Sequence, residues 1–457
     1  MTQGLMARGL EKVRGLLKTD PEHPLSERQL QKLREQLQEC AVGQGGEVSA
    51  RQRAARLGQS YLQLDDNGRH AFLRLIALEF GPQPEVVAAA HAAYQTAVGT
   101  PGQWDAEARL RSAMRSRRIR ILTQFNALPQ GVKFLVDLRT DLLRYLEQDP
   151  ELGPLDRELE NRLTAWFDVG FLELRRITWQ SPAALLEKLI QYEAVHAIRS
   201  WTDMKNRLDS DRRCYAFFHP RMPEEPLIFV EVALTSRLAD NVQALLDENA
   251  PVFDSSRADT AIFYSISNTQ DGLRGISFGN FLLKRVIDDL KRDFPRLNQF
   301  ATLSPLPQFR RWAEKADEHW EKAFHASDLE RIAKAAAIPA ELAAIRQLLT
   351  GNDWAEQARV ARALQQPLTR LAARYLLLAR SGTRLHDPVA RFHLGNGARV
   401  ERLNFLADTS PKGYKQSFGM MVNYLYAPEE IEENVENLLR NGRIAAATGV
   451  RCAIRDR

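Results

Sequence analysis

The sequence predicts an α+β chain in two parts: an all-helical domain over residues 1–190, then a mixed-sheet domain over 191–457 that carries a helical insertion. Three observations predict it. Apolar residues up to about residue 180 recur at helical spacing. Beyond residue 190, short β-branched and aromatic runs bounded by turn residues take over. Between two groups of these runs, residues 312–380 return to Ala- and Leu-rich helical text. A length of 457 residues also favours two domains over one.

Taken in order, Ser26-Glu-Arg-Gln29 has the spacing of a capping box and opens a helix. Phe72, Leu75 and Leu78 are expected to share a helix face, and Gly131–Gln148 repeats the pattern with Phe134, Leu135, Leu138, Leu142 and Tyr145. Ser181-Pro182 supplies an N-cap and a first-turn proline for a helix through Leu185, Leu186, Leu189 and Ile190. Arg213–His219 and Leu227–Leu234 are expected to form a hairpin about PRMPEEP, with Thr260–Ile266 as a third strand. Leu283, Val286, Ile287, Leu290 and Phe294 make one helical stripe that Pro295 ends, and Phe300–Leu303 follows as a fourth strand. Asp387-Pro388 opens a short helix that Gly395 is placed to close. Arg399–Leu406 and Met420–Tyr426 complete the strands.

Composition narrows the function classes. No apolar run reaches the roughly 18 residues that span a bilayer. The N-terminal text lacks a signal peptide's apolar stretch; it is basic and amphipathic, but Glu11 and Asp20 favour a surface helix over a transit peptide. The C-terminal text is no peroxisomal tripeptide. Cys40, Cys214 and Cys452 form neither a CxxC pair nor a metal-ligand spacing, and HExxH is absent, so a reduced compartment and no metal are expected. A cytoplasmic location follows as the default. The run Arg109, Arg111, Arg115, Arg117, Arg118 and Arg120 lacks interleaved aromatics. It is expected to be a solvated face or a subunit contact, with no nucleic-acid partner.

The segment Gln270–Asn280, QDGLRGISFGN, lies between a predicted strand and a predicted helix. Glycines there let a backbone approach an anion, and the following helix end favours negative charge, so a phosphorylated ligand is expected. No Gly-Lys-Ser/Thr follows, and the dinucleotide spacing is missing. Ser304, His393 and Tyr424 cannot be assigned from spacing alone: each also has a plain structural reading as cap, helix residue or core.

Longer blocks give those residues roles. They are GFLELRRITWQSP (170–182), YEAVHAIRSWTDMKNRL (192–208), RRCYAFFHP (212–220), EPLIFVEVALT (225–235), FYSISNTQDGLRGISFGNFLLKRV (263–286), LSPLPQF (303–309), DPVARFHLGNGA (387–398) and FGMMVNYLY (418–426). With these blocks, in this order, the chain resembles the malonyl-CoA decarboxylase family. The resemblance implies a GNAT (acetyltransferase-like) catalytic domain behind a helical one. It implies Ser304, His393 and Tyr424 as catalytic residues. Arg274, Gly275, Ile276, Ser277, Phe278, Gly279 and Asn280 would form the loop for the CoA pyrophosphate. Because the family allows Gln at Arg274, the backbone is expected to carry that contact. The implied reaction converts malonyl-CoA to acetyl-CoA and CO2 through a thioester enolate, without a metal or separate cofactor. His393 would donate the proton and Ser304 would position by hydrogen bond. A homotetramer without a membrane partner is also implied. Two other classes fit the residues less well: an acyltransferase on the same fold, which needs an acceptor groove, and a non-catalytic CoA-ester sensor, which needs neither Ser304 nor His393. Tolerance of methylmalonyl-CoA, and any regulation, are left open by the sequence.

Overall fold

The structure, a computed structural model, describes residues 25–42, 46–276 and 281–454. It divides into two compact units. The first runs up to Asp168 and adds Pro220–Pro223 and the loop that begins at Gln270; the second holds the remainder. The sequence expectation set the boundary at residue 190. The division falls earlier because Glu173–Ile177 is a strand, paired antiparallel with Arg212–His219, and so belongs with the sheet.

The first unit is helical, over Glu27–Val42, Glu47–Leu62, Asp66–Glu79, Pro84–Ala97, Gln103–Ala113, Arg118–Asn126, Gly131–Tyr145 and Gly153–Trp166. Its core is made by Leu37, Leu57, Phe72, Ile76, Leu122, Phe125, Leu135, Leu138 and Leu163, all fully buried. Burying each such side chain contributes about 1.5–3 kcal/mol. The capping box at Ser26 is formed: Gln29 Oε1 accepts from the Ser26 N–H at 3.0 Å, and Ser26 Oγ from the Gln29 N–H at 3.4 Å. Leu78 is 49% exposed and not on the face of Phe72. Six residues turn about 600°, well short of two full turns, so Leu73 and Ile76 share the buried side instead.

The arginine run is not a plain solvated face. Arg118 is buried, and its Nη2 lies 2.9 Å from Glu158 Oε1. Arg117 donates to the Glu79 carbonyl at 2.9 Å, Arg118 to that of Ala77, and Arg120 to that of Val42 at 2.8 Å. These carbonyls lie at helix C-termini, where four acceptors are left without intrahelical partners. Three of the six arginines therefore hold helix ends.

The second unit is built on an eight-stranded sheet of order β1-β2-β3-β4-β5-β10-β6, with β9 paired to β10. The strands are β1 (Glu173–Ile177), β2 (Arg212–His219), β3 (Met222–Thr235), β4 (Thr260–Asn268), β5 (Gln299–Thr302), β6 (Ser304–Pro305), β9 (Arg399–Asn404) and β10 (Met421–Leu425). A small separate hairpin, β7 (Arg380–Ser381) and β8 (Arg384–Leu385), precedes β9. β4 and β5 pair in parallel, while β1/β2, β3/β4, β5/β10, β6/β10 and β9/β10 are antiparallel, so the sheet is mixed as expected. The parallel pair requires a crossover, which the helix Phe281–Asp293 provides. Leu283, Val286, Ile287 and Leu290 of the predicted stripe are buried.

Several bounds differ from expectation. Ser181 does not cap its helix: its Oγ accepts from the Thr178 N–H at 3.1 Å, and the helix begins at Ala183. Leu406 adopts φ 49°, which stops β9 at Asn404. Gly395 is the last helical residue of Pro388–Gly395; the chain reverses at Gly397, whose φ of 82° suits glycine. The expected insertion is present as helices from Phe309–Glu314 to Ala358–Leu378. Helices Pro411–Ser417, Ile431–Asn441 and Thr448–Ala453 were not expected, although Ile431, Val435, Leu438 and Leu439 recur at helical spacing.

Candidate active site

The site forms where β5 breaks into β6. Leu425 pairs with Ala301, and Val422 with Ser304, so the two short strands share one register on β10. Between those pairs the regular ladder is replaced by side chains. Thr302 Oγ1 accepts from the Tyr424 N–H at 3.1 Å, and the Asn423 side-chain amide donates to the Thr302 carbonyl at 2.7 Å. Asn423 Oδ1 accepts in turn from Asn404 at 2.8 Å. These bonds bridge the break, and Ser304 is presented from the β6 edge of the sheet.

Pro388–Gly395 brings the histidine. The Asp387 carboxylate caps this helix by accepting from the Ala390 N–H at 2.8 Å, and it accepts from Tyr375 Oη at 2.7 Å. Burial raises the Asp387 carboxyl above its ordinary value, against those two donors. His393 sits in the last turn and is 3% exposed. Ser304 and His393 are 89 residues apart in sequence, yet Ser304 Oγ lies 3.2 Å from His393 Nε2. His393 Nδ1 lies 2.7 Å from Tyr426 Oη. The Tyr424 ring stacks on the imidazole, with centroids 4.6 Å apart and planes at 25°.

The direction of the Ser304–Thr302 bond favours one histidine tautomer. The Ser304 hydroxyl donates to Thr302 Oγ1 at 2.9 Å, so its proton points away from the ring. Ser304 Oγ then accepts from His393 Nε2–H, which leaves Nδ1 bare to accept the Tyr426 hydroxyl. A chain of donors runs Tyr426, His393, Ser304, Thr302. Among the described residues no carboxylate touches the ring. Burial alone pushes the imidazole down to about 3, so it is neutral across ordinary pH. Burial likewise raises Tyr424 and Tyr426 above the ordinary phenol value, and Tyr424 Oη is buried without a partner among the described residues.

Ser304, His393 and Tyr424, singled out from sequence, are thus brought together. Thr302, Asn423 and Tyr426 were missed. Tyr426 had a signal: in NYLY it alternates with Tyr424, and strand alternation puts both on one face. The Thr302 role had none, because it depends on a ladder break.

Of the predicted anion loop, Arg274, Gly275 and Ile276 are described, whereas Ser277, Phe278, Gly279 and Asn280 lie outside the described residues. The loop is a series of turns, in which the N–H groups of Leu273, Arg274 and Ile276 bond to the carbonyls of Gln270, Asp271 and Leu273. Those of Arg274 and Ile276 are therefore engaged within the loop. Gly275 stands outside the series, with φ 88°. An added Cβ there would lie 2.7 Å from Glu160 Oε1, the end of a side chain that can swing aside, so it is the backbone conformation that calls for glycine. Among the described residues no cluster of three His, Cys, Asp or Glu is placed to hold a metal, and no helix is long and apolar enough to cross a membrane.

Residues 170–457 match the model of the malonyl-CoA decarboxylase C-terminal domain, and residues 80–167 that of its N-terminal domain. The chain belongs to the malonyl-CoA decarboxylase family. The mitochondrial malonyl-CoA decarboxylase of Rattus norvegicus is 39% identical over 354 residues, 75% of this chain and 72% of that protein. That of Anser anser anser is 38% identical over 357 residues, 76% of this chain and 71% of that protein. A crystal structure of malonyl-CoA decarboxylase from Rhodopseudomonas palustris superposes with a TM-score of 0.84 at 42% identity, covering 94% of this chain and all of that one. The chain is an enzyme of the malonyl-CoA decarboxylase kind, and decarboxylation of malonyl-CoA is the reaction its family supports. The two vertebrate relatives are named as mitochondrial, which gives the cytoplasmic expectation no counterpart.

Proposed function

We propose that this enzyme converts malonyl-CoA to acetyl-CoA and CO2 without a metal, with His393 as proton donor in its neutral form. The observation that carries the reading is the directed chain from Tyr426 through His393 and Ser304 to Thr302. Malonyl-CoA contains its own electron sink. As the bond to the carboxylate breaks, its electron pair passes to the thioester carbonyl and forms an enolate. Hydrogen-bond donors aimed at that oxyanion contribute about 3–4 kcal/mol each, and the unpartnered Tyr424 hydroxyl is available for such a role. The enolate α-carbon then takes the proton of His393 Nε2. Tyr426 supplies Nδ1 as that proton leaves, so the negative charge passes from the enolate to the Tyr426 oxygen and not to the ring, and one solvent proton restores the chain before the next turnover. An enolate carbon is far more basic than a phenolate, so this transfer runs downhill. Ser304 positions the imidazole; its own proton is committed to Thr302.

The CoA pyrophosphate is assigned to the loop Arg274–Asn280, chiefly through its backbone. Assembly as a homotetramer belongs to the same reading. It is supported by the Val- and Ala-rich helix Pro84–Ala97, none of whose residues is buried within this chain.

Pure enzyme given malonyl-CoA should release acetyl-CoA and CO2 equally well with and without EDTA. Activity lost on chelation and restored by zinc would contradict the mechanism. Since burial holds His393 near 3, kcat/KM should show no acidic limb near pH 6.5, the ordinary histidine value. A limb at that pH, removed in His393→Asn, would mean that the ring acts as a free imidazolium.

A further inference from the structure

We infer that Arg139, in the helix Gly131–Tyr145, is the positioning residue of the CoA loop and aims the Gly275 N–H outward for the pyrophosphate. This rests on the assignment of that loop to CoA. The loop's carbonyls fall into two groups. Those of Gln270, Asp271 and Leu273 accept the loop's own turn bonds. Those of Gly272 and Arg274 accept no turn bond among the described residues, and Arg139 Nη1 donates to both, at 2.9 and 2.7 Å. The guanidinium is only 2% exposed, and its orientation is fixed from the other side. Its Nε donates to Asp156 at 2.9 Å, and its Nη2 lies 3.8 Å from Glu160.

The consequence for ligand binding follows from peptide geometry. In a trans peptide the C=O and the next N–H point in opposite directions. With the Arg274 carbonyl directed at Arg139, the Gly275 N–H must point away from the guanidinium. Gly275 is exposed, and among the described residues its N–H makes no turn bond. Arg139 also neutralises two carbonyl dipoles that would otherwise be free to turn toward a phosphate. The loop is seated closely on the same helix: a Cβ on Gly272 would stand 1.9 Å from the Val136 carbonyl oxygen. The helical unit thereby shapes the anion loop, although Arg139 itself faces away from the ligand.

The test compares Arg139→Lys, Arg139→Gln and wild type. A lysine can reach one carbonyl but not both together with Asp156, so it should rescue in part. KM for malonyl-CoA should rise about tenfold in Arg139→Gln and less in Arg139→Lys, with kcat within about threefold of wild type, since the Ser304 and His393 chain is untouched. Hydrogen exchange across residues 270–281 should quicken in both variants, and CoA should protect that segment in wild type. Should Arg139→Gln fail to fold, Gly272→Ala moves the loop without leaving a charge unpaired and should give the same KM rise. Unchanged KM in folded Arg139→Gln, or a fall in kcat alone, would overturn the inference and leave the loop assignment standing. Absence of CoA protection in wild type would overturn the loop assignment and the inference together.

Discussion

Replacing His393 with Asn should lower turnover by about 100- to 10,000-fold, the usual loss on removing a general acid, while CoA binding is retained. The ring is held by three features that Asn cannot reproduce together: the Ser304 and Tyr426 bonds and the stack on Tyr424. Ser304→Ala should also lower turnover. The double variant should lose less than the product of the single losses, because residues that act as one unit are not additive. Losses that multiply would mean that the two side chains work independently, despite their 3.2 Å contact.

The second large effect is on stability and lies away from this chain of bonds. Arg207 is buried between Asp203 and Glu231, at 2.7 and 2.9 Å, and Glu231 is 1% exposed. Burial raises the Glu231 carboxyl to about 8; Arg207 opposes that rise, while Glu193 and Asp203 add to it. Its folded value thus lies above the ordinary 4.5, so the protonated form contributes stability that is complete below pH 4.5 and lost as pH rises through about 8. Arg207→Met removes the one cation that favours the charged form. The variant should lose about 3–5 kcal/mol at pH 8.5, where Asp203 keeps its charge without a partner and Glu231 must bind a proton that the wild type has largely released. The loss should be clearly smaller at pH 6, where Glu231 can take a proton. Thermal unfolding at the two pH values checks this; an equal loss at both would contradict it.

Much of this was legible from sequence because the determinants are local. The capping box at Ser26, the stripe from Leu283 to Leu290 and the Asp387-Pro388 start each depend on residues within a few positions. So do the strands, whose β-branched text survives because both faces of β2 and β3 are buried. What sequence did not show is set by distant partners. Residues 169–190 read as helical approach, yet Glu173–Ile177 is a strand because β2 is there to pair with it. The arginine run read as surface because no sequence rule shows that Arg117, Arg118 and Arg120 reach helix ends some 38–78 residues away. Ser304 and His393 were named through long family-like blocks, not through spacing, since the insertion separates them. Tyr426, Thr302 and Arg139 depend on where single hydrogens and carbonyls point, which only the folded backbone decides.

The central claim is that His393 works as a neutral donor, with its proton on Nε2 and Nδ1 bare toward Tyr426. The direct measurement is the nitrogen-15 spectrum of histidine-labelled enzyme, with the His393 signals assigned by difference from His393→Asn. A protonated Nε2 and an unprotonated Nδ1, unchanged from pH 5 to 8, are the predicted result. A protonated Nδ1 with Nε2 bare toward Ser304 would contradict it, because the serine hydroxyl would then donate to the ring and the histidine would be poised as a base.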